Sequence, residues 1–194
     1  MRRALWFLGL AALVAVLVIG LTQAGGGDSP EPGAGPSLAE LKRAVADAPA
    51  PLAALYAQAN QIVPSSPEDF ERRLRALRGY PVVVNVWGSW CGPCKAEFPI
   101  FQRATQRLGE RVAFLGINLI DGKRSAREFL DKRPVPYPSL EDGSGRIARK
   151  AAPGTQGAPI TIYYDASGRR TFIHQGGYER EQDLIDDIER YAGA

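Results

Sequence analysis

Cys91 and Cys94 are the only cysteines in this 194-residue chain, and they stand three apart in the run Trp90–Cys91–Gly92–Pro93–Cys94–Lys95. The run follows an apolar segment, 81–87, and a helix-like pattern opens near Pro93. A strand that delivers a C-x-x-C pair to the start of a helix is a dithiol/disulfide redox arrangement. The reason is electrostatic. Orphan backbone N–H groups and the helix dipole favour negative charge at a helix N-terminus, so the first thiol ionises more easily. Thiolate is the form that attacks disulfides. A zinc site needs four ligands, and the sole histidine, His174, is far along the chain. A purely structural bond between i and i+3 closes too short a loop to stabilise much.

Residues 90–95 are letter for letter the thioredoxin hexapeptide WCGPCK, and Pro99 stands eight residues after Cys91, where thioredoxins carry a helix-kinking proline. With Val82–Trp87 before it and Lys95–Pro99 after it, the pattern resembles the membrane-anchored TlpA/ResA branch of the thioredoxin superfamily over roughly residues 66–191. The resemblance implies an α/β, thioredoxin-like fold: a central mixed sheet flanked by helices, with an inserted strand–helix unit between Asn118 and Pro159. It implies that Cys91 attacks and is the exposed thiol, and that Cys94 resolves the mixed disulfide. Glu97 would tune or shuttle protons, or else be an ordinary exposed helix carboxylate. Asn85 takes the place of thioredoxin's buried aspartate and cannot accept a proton, so that role is vacant or falls to Glu97. Pro159 would be a cis-proline facing the disulfide, with Ala158 offering its backbone to a substrate strand. Trp90, Gly92, Pro93 and, by analogy, Gly176 would complete the groove. Gly92–Pro93 is the dipeptide of reducing thioredoxins, at roughly −270 mV, which leans the reading toward a reductant.

The elements that must position these residues are legible from periodicity. Ser37 with Glu40 has capping-box spacing, ahead of a short helix, 38–46. Residues 52–60 look helical again, and both helices are expected to lie on the domain surface. Asn60–Val63 suggests a short first strand. Ser66 and Pro67 start a helix with Phe70, Leu74 and Leu77 as its buried stripe, closed by Gly79. Segments 81–87 and 112–118 read as buried strands. Helices are expected at 125–132, 144–151 and 180–191, strands at 159–164 and 170–175, and an extended stretch around Pro134–Leu140.

Net charge is +3 with both signs interspersed, which is not a nucleic-acid-binding signature. No G-x-G-x-x-G or P-loop is present, so no cofactor is expected, and no metal. Arg2 and Arg3 precede eighteen uncharged residues, 4–21, about 27 Å of helix, which favours an uncleaved membrane anchor over a cleaved signal. The expected organisation is a cytoplasmic tip at 1–3, the anchor or signal at 4–21, a Gly/Pro/Ser-rich linker at 22–36, a helical extension at 37–65 and the thioredoxin-like domain at 66–194. The function that follows is a membrane-tethered, extracytoplasmic thiol–disulfide oxidoreductase. Its partners would be protein thiols or disulfides and a membrane redox partner, and the resemblance allows a role in cytochrome c maturation. The alternatives are a non-catalytic thioredoxin-fold adaptor and a thiol peroxidase, whose P-x-x-x-T-x-x-C context Cys91 lacks. His174 is expected to be filler with no functional partner.

Overall fold

The computed structural model describes residues 35–194. The expected tip and membrane span, and most of the linker, lie outside the described residues. Among the described residues no helix is long and apolar enough to cross a membrane.

Six strands form one sheet: β1 (Ile62–Pro64), β2 (Val82–Trp87), β3 (Ala113–Leu119), β4 (Ser139–Asp142), β5 (Ile160–Tyr164) and β6 (Arg170–Gln175), in the order β1-β4-β3-β2-β5-β6. The pairs β1·β4, β4·β3 and β3·β2 are parallel, while β2·β5 and β5·β6 are antiparallel. Every residue of β2, β3 and β5 is buried, as near-continuous apolar strands covered on both faces must be. This is a thioredoxin-like α/β fold with a mixed sheet, and the insert supplies β4, which slots between β1 and β3.

The helices are α1 (Leu38–Arg43), α2 (Ala50–Tyr56), α3 (Pro67–Ala76), α4 (Gly92–Leu108), α5 (Lys123–Lys132), α6 (Arg146–Ala151) and α7 (Glu181–Asp187). After α7 the chain continues as a wider π-helical turn, Ile188–Ala192, rather than as one uniform helix. Both predicted N-caps form complete capping boxes, Ser37 with Glu40 and Ser66 with Asp69. Each satisfies two orphan backbone donors, a contribution of about 1 kcal/mol.

The extension packs on the domain surface as expected, its outer face exposed and its inner face built into the core. Val45, Leu52, Leu55 and Tyr56 join the single hydrophobic core, and the Tyr56 hydroxyl donates to Val112 O at 2.7 Å. Leu52, Leu55 and Tyr56 are spaced i, i+3, i+4, an apolar stripe that needs a partner. Asn60, in the left-handed region at φ 60°, then turns the chain into β1. Its Oδ1 accepts from Val135 N at 3.1 Å and its carbonyl from Arg127 at 2.8 Å, which ties the extension to the insert.

Trp87, the last residue of β2, fastens the cysteine-bearing helix to the sheet. Its ring stacks on Phe129 of α5 (centroids 5.0 Å) and meets Phe98 of α4 edge-on (5.2 Å). Its indole N–H donates to Ser139 Oγ on β4 at 3.0 Å. Gly116 makes room for this bond: a Cβ there would clash with Ser139 Oγ and lie 3.0 Å from Trp87 Nε1. Gly116→Ala is therefore expected to lower stability by about 1–3 kcal/mol, read as a drop in the urea midpoint with unchanged m-value. An unchanged midpoint would show that the Trp87–Ser139 contact yields at no cost.

Candidate active site

The chain leaves buried β2 through Gly88, Ser89 and Trp90 and enters α4 with Cys91 as N-cap. Asp121 pins this turn. One carboxylate oxygen accepts from Ser89 N at 2.6 Å and from Asn118 Nδ2 at 2.9 Å, and the other accepts from Ser89 Oγ at 2.7 Å. The Trp90 indole N–H donates to the carbonyls of Leu119 and Ile120, both at 3.2 Å. Sequence reasoning missed Asp121 because the contact joins two loops 32 residues apart.

Cys91 and Cys94 are joined in a disulfide, with Cα atoms 5.3 Å apart. The backbone N–H of Cys94 points at Cys91 Sγ from 3.2 Å. That donor, at the mouth of a 17-residue helix, is placed to stabilise negative charge on the sulfur. Exposure differs from expectation: Cys91 is 3% exposed and Cys94 is fully buried. As N-cap, the Cys91 side chain curls back over the first helical turn toward Cys94, which withdraws it from solvent. The open rim is instead Gly92, Pro93 and Trp90, the last 53% exposed.

Glu97 is not an exposed helix carboxylate. It is fully buried, accepting from Asn85 Nδ2 at 2.7 Å and from Tyr178 N at 3.2 Å. Burial pushes its carboxyl up to about 7, and the two hydrogen bonds offset only part of that desolvation. The group therefore changes protonation near neutrality, as a proton shuttle requires.

The Ala158–Pro159 peptide is cis, and the Pro159 carbonyl accepts from Gly176 N at 3.1 Å. The neighbouring Gly177 draws the site together. A Cβ on it would lie 3.5 Å from Glu97 Oε2, 3.5 Å from Pro159 Cγ and 3.7 Å from Pro93 Cβ. The loop after β6 thus brings together α4, the cis-proline segment and Glu97. Sequence reading named Gly176 but missed Gly177 and Tyr178; the Gly–Gly pair at the strand end was the available signal. An open cleft of about 550 Å³ runs beside this segment, lined by Leu119, Ile120, Arg149, Gly157 and Ile160 among others, and neither cysteine lines it. His174, expected to be filler, has partners. Its ring stacks on Tyr178 at 4.2 Å, and its Nδ1 is 3.6 Å from Asp187 Oδ2. Tyr178 also donates to Asp187 at 2.6 Å.

A C-x-x-C disulfide at a helix N-terminus, a buried carboxyl one turn along that helix and a cis-proline that meets both Pro93 and Glu97 around Gly177 define a thioredoxin-fold protein with a redox-type site. The chain belongs to the AhpC/TSA family, whose model matches residues 58–175. It is 36% identical over 106 residues to the thiol:disulfide interchange protein DsbE of Pseudomonas aeruginosa, covering 53% of this chain and 56% of that protein. It is 32% identical over 112 residues to DsbE of Escherichia coli K12, covering 57% and 58%. The chain thus spans just over half the length of these curated relatives. Among solved structures, a secreted Mycobacterium tuberculosis disulfide oxidoreductase homologous to E. coli DsbE shares the fold, with TM-score 0.52 and 24% identity over 60% of this chain and 85% of that one. These relatives agree with the TlpA/ResA-like resemblance carried by residues 82–99.

The raised Glu97 carboxyl has a thermodynamic consequence. Between the unfolded value of 4.5 and about 7, the folded protein holds a proton that the unfolded chain has released. That contribution to stability is complete below 4.5 and is lost as pH rises through about 7. Relative to Glu97→Gln, the oxidised protein should lose about 3 kcal/mol of stability across this window, read from urea midpoints at a series of pH values. A pH-independent difference between the two proteins would contradict the burial argument.

Proposed function

We propose that the chain is a thiol–disulfide oxidoreductase that exchanges disulfides with protein substrates outside the cytoplasm. One observation carries the reading: the Cys91–Cys94 disulfide caps α4 with a buried, near-neutral carboxyl, Glu97, one helical turn further on. The DsbE relatives support it.

In the reducing direction, the Cys91 thiolate attacks a substrate disulfide. A Cys91–substrate bond forms, and the displaced substrate sulfur leaves as a thiolate. Glu97 accepts the Cys94 proton. The Cys94 thiolate then attacks Cys91 Sγ, closing the intramolecular disulfide and releasing the second substrate thiolate. Two electrons pass from the dithiol to the substrate, and a membrane redox partner restores them. The lean toward reductant rests on Gly92–Pro93. The roles proposed for the groove are a backbone ledge at Ala158–Pro159 and a rim of Trp90, Gly92, Pro93 and Gly176. Segment 4–21 would hold the protein to the membrane, segment 22–36 would be its tether, and 66–194 would be the catalytic domain with 37–65 as its extension. Reduction of apocytochrome c cysteines is the specific task we assign. A peroxidase would place Pro and Thr seven and three residues before its cysteine, where this chain has Val84 and Gly88.

Cys91→Ser should abolish insulin-disulfide reduction, and Cys94→Ser should accumulate a mixed disulfide with the substrate, visible as a dithiothreitol-sensitive adduct on a non-reducing gel. Wild-type protein that binds partners without exchange would favour the adaptor instead. Equilibration with glutathione reads the direction: a potential near −270 mV means a reductant and one near −120 mV an oxidant.

A further inference from the structure

One row of paired residues carries polar side chains across the middle of the sheet. In register, Ser139 of β4 faces Gly116 of β3, Gly116 faces Asn85 of β2, Asn85 faces Thr161 of β5, and Thr161 faces His174 of β6. Directly paired residues share a face of the sheet, and in antiparallel pairs their Cβ atoms sit about 4.5–5.5 Å apart. Thr161 is fully buried, and among the described residues its hydroxyl has no hydrogen-bond partner; neither does Asn85 Oδ1. An unpaired buried polar group costs about 1–3 kcal/mol, and here two such groups face each other across one strand pair.

We propose that Thr161 is a positioning residue for the Glu97 carboxyl: a turn of its side chain that brings the hydroxyl to Asn85 Oδ1 across the β2–β5 pair satisfies both orphaned atoms at once and holds the carboxamide with Nδ2 toward Glu97. The two ends of a carboxamide are nearly identical in shape, so hydrogen-bond partners alone decide which end faces which neighbour. Glu97 as a carboxylate needs the donor end. A hydroxyl opposite the acceptor end supplies the missing selection, and it can turn its proton either way. The inference deepens the reading of Glu97 as proton acceptor for Cys94 and rests on it. The other groups around the carboxyl are Tyr178 N, the Tyr137 and Tyr163 phenols, and the disulfide on its own helix. Behind Tyr178 stand Asp187 and His174, and Tyr163 OH lies 2.5 Å from Tyr178 OH.

The test is a carbon-13 NMR titration of the Glu97 carboxyl in oxidised, glutamate-labelled protein without substrate. Thr161→Val keeps the shape and removes the hydroxyl; it should move the midpoint upward by about half a unit, a roughly threefold gain in proton affinity. Thr161→Ser should leave the midpoint in place. If the valine protein does not fold, Thr161→Ala against Thr161→Ser makes the same comparison. An unmoved midpoint without the hydroxyl overturns the proposal, as does an equal shift in the serine protein, which would make the effect one of packing. Because the titration involves no exchange, it stands even if the protein fails to reduce insulin, and the two failures are told apart.

Discussion

A carboxyl group removed from water with no cation at hydrogen-bond distance among the described residues is the constraint around which this site is arranged. Two neutral donors meet Glu97, one from β2 and one from the loop after β6. Neutral donors lessen the desolvation of a carboxylate without abolishing it, so the group settles near neutrality instead of ionising fully. An ion pair in the same place would hold the carboxylate charged and useless for carrying a proton at neutral pH. Asn85 in the middle of an apolar strand supplies one of those donors, and the loop after β6, turned by Gly176 at φ 111°, supplies the other through the Tyr178 amide.

The disulfide depends on the same arrangement from the other side. Cys91 can cap α4 only because β2 ends at Trp87 and the next three residues are held in place. The Asp121 carboxylate does the holding, with the indole of Trp90 anchored on two carbonyls. Trp87 in turn is locked between Phe98 and Phe129, and Phe98 is the residue after Glu97 on α4. The packing that fastens the helix to the sheet therefore also sets the depth of the carboxyl. The insert takes part as well, through Phe129 of α5 and Ser139 of β4. It is part of the core beneath the redox turn, not a surface ornament.

Burial of Cys91 bears on how exchange can occur. A cysteine 3% exposed offers a narrow line of approach. The rim beside it is exposed Gly92 and Pro93, and Pro93 and the cis-proline Pro159 both border Gly177.

Much of this was written in local order. Hydrophobic period, caps and proline placement marked nearly every strand and helix, because each of those signals acts over a few residues. The C-x-x-C spacing identified the redox pair for the same reason. What adjacency in the chain could not supply were the contacts made across it. The helices of residues 38–56 were legible as packing on the domain, but nothing local reveals that Tyr56 reaches Val112. Cys91 looked exposed, because its curl over the helix is a three-dimensional matter. Glu97 looked equally fit for a proton role near the cysteines or for plain solvent exposure, and His174 seemed partnerless, until folding placed Tyr178 against both. The amino-acid order determined which chemical groups are present and which short elements carry them. Tertiary packing alone decided which of those groups lose their water, and it is that loss of water which moves a carboxyl from its ordinary acidity to near neutrality.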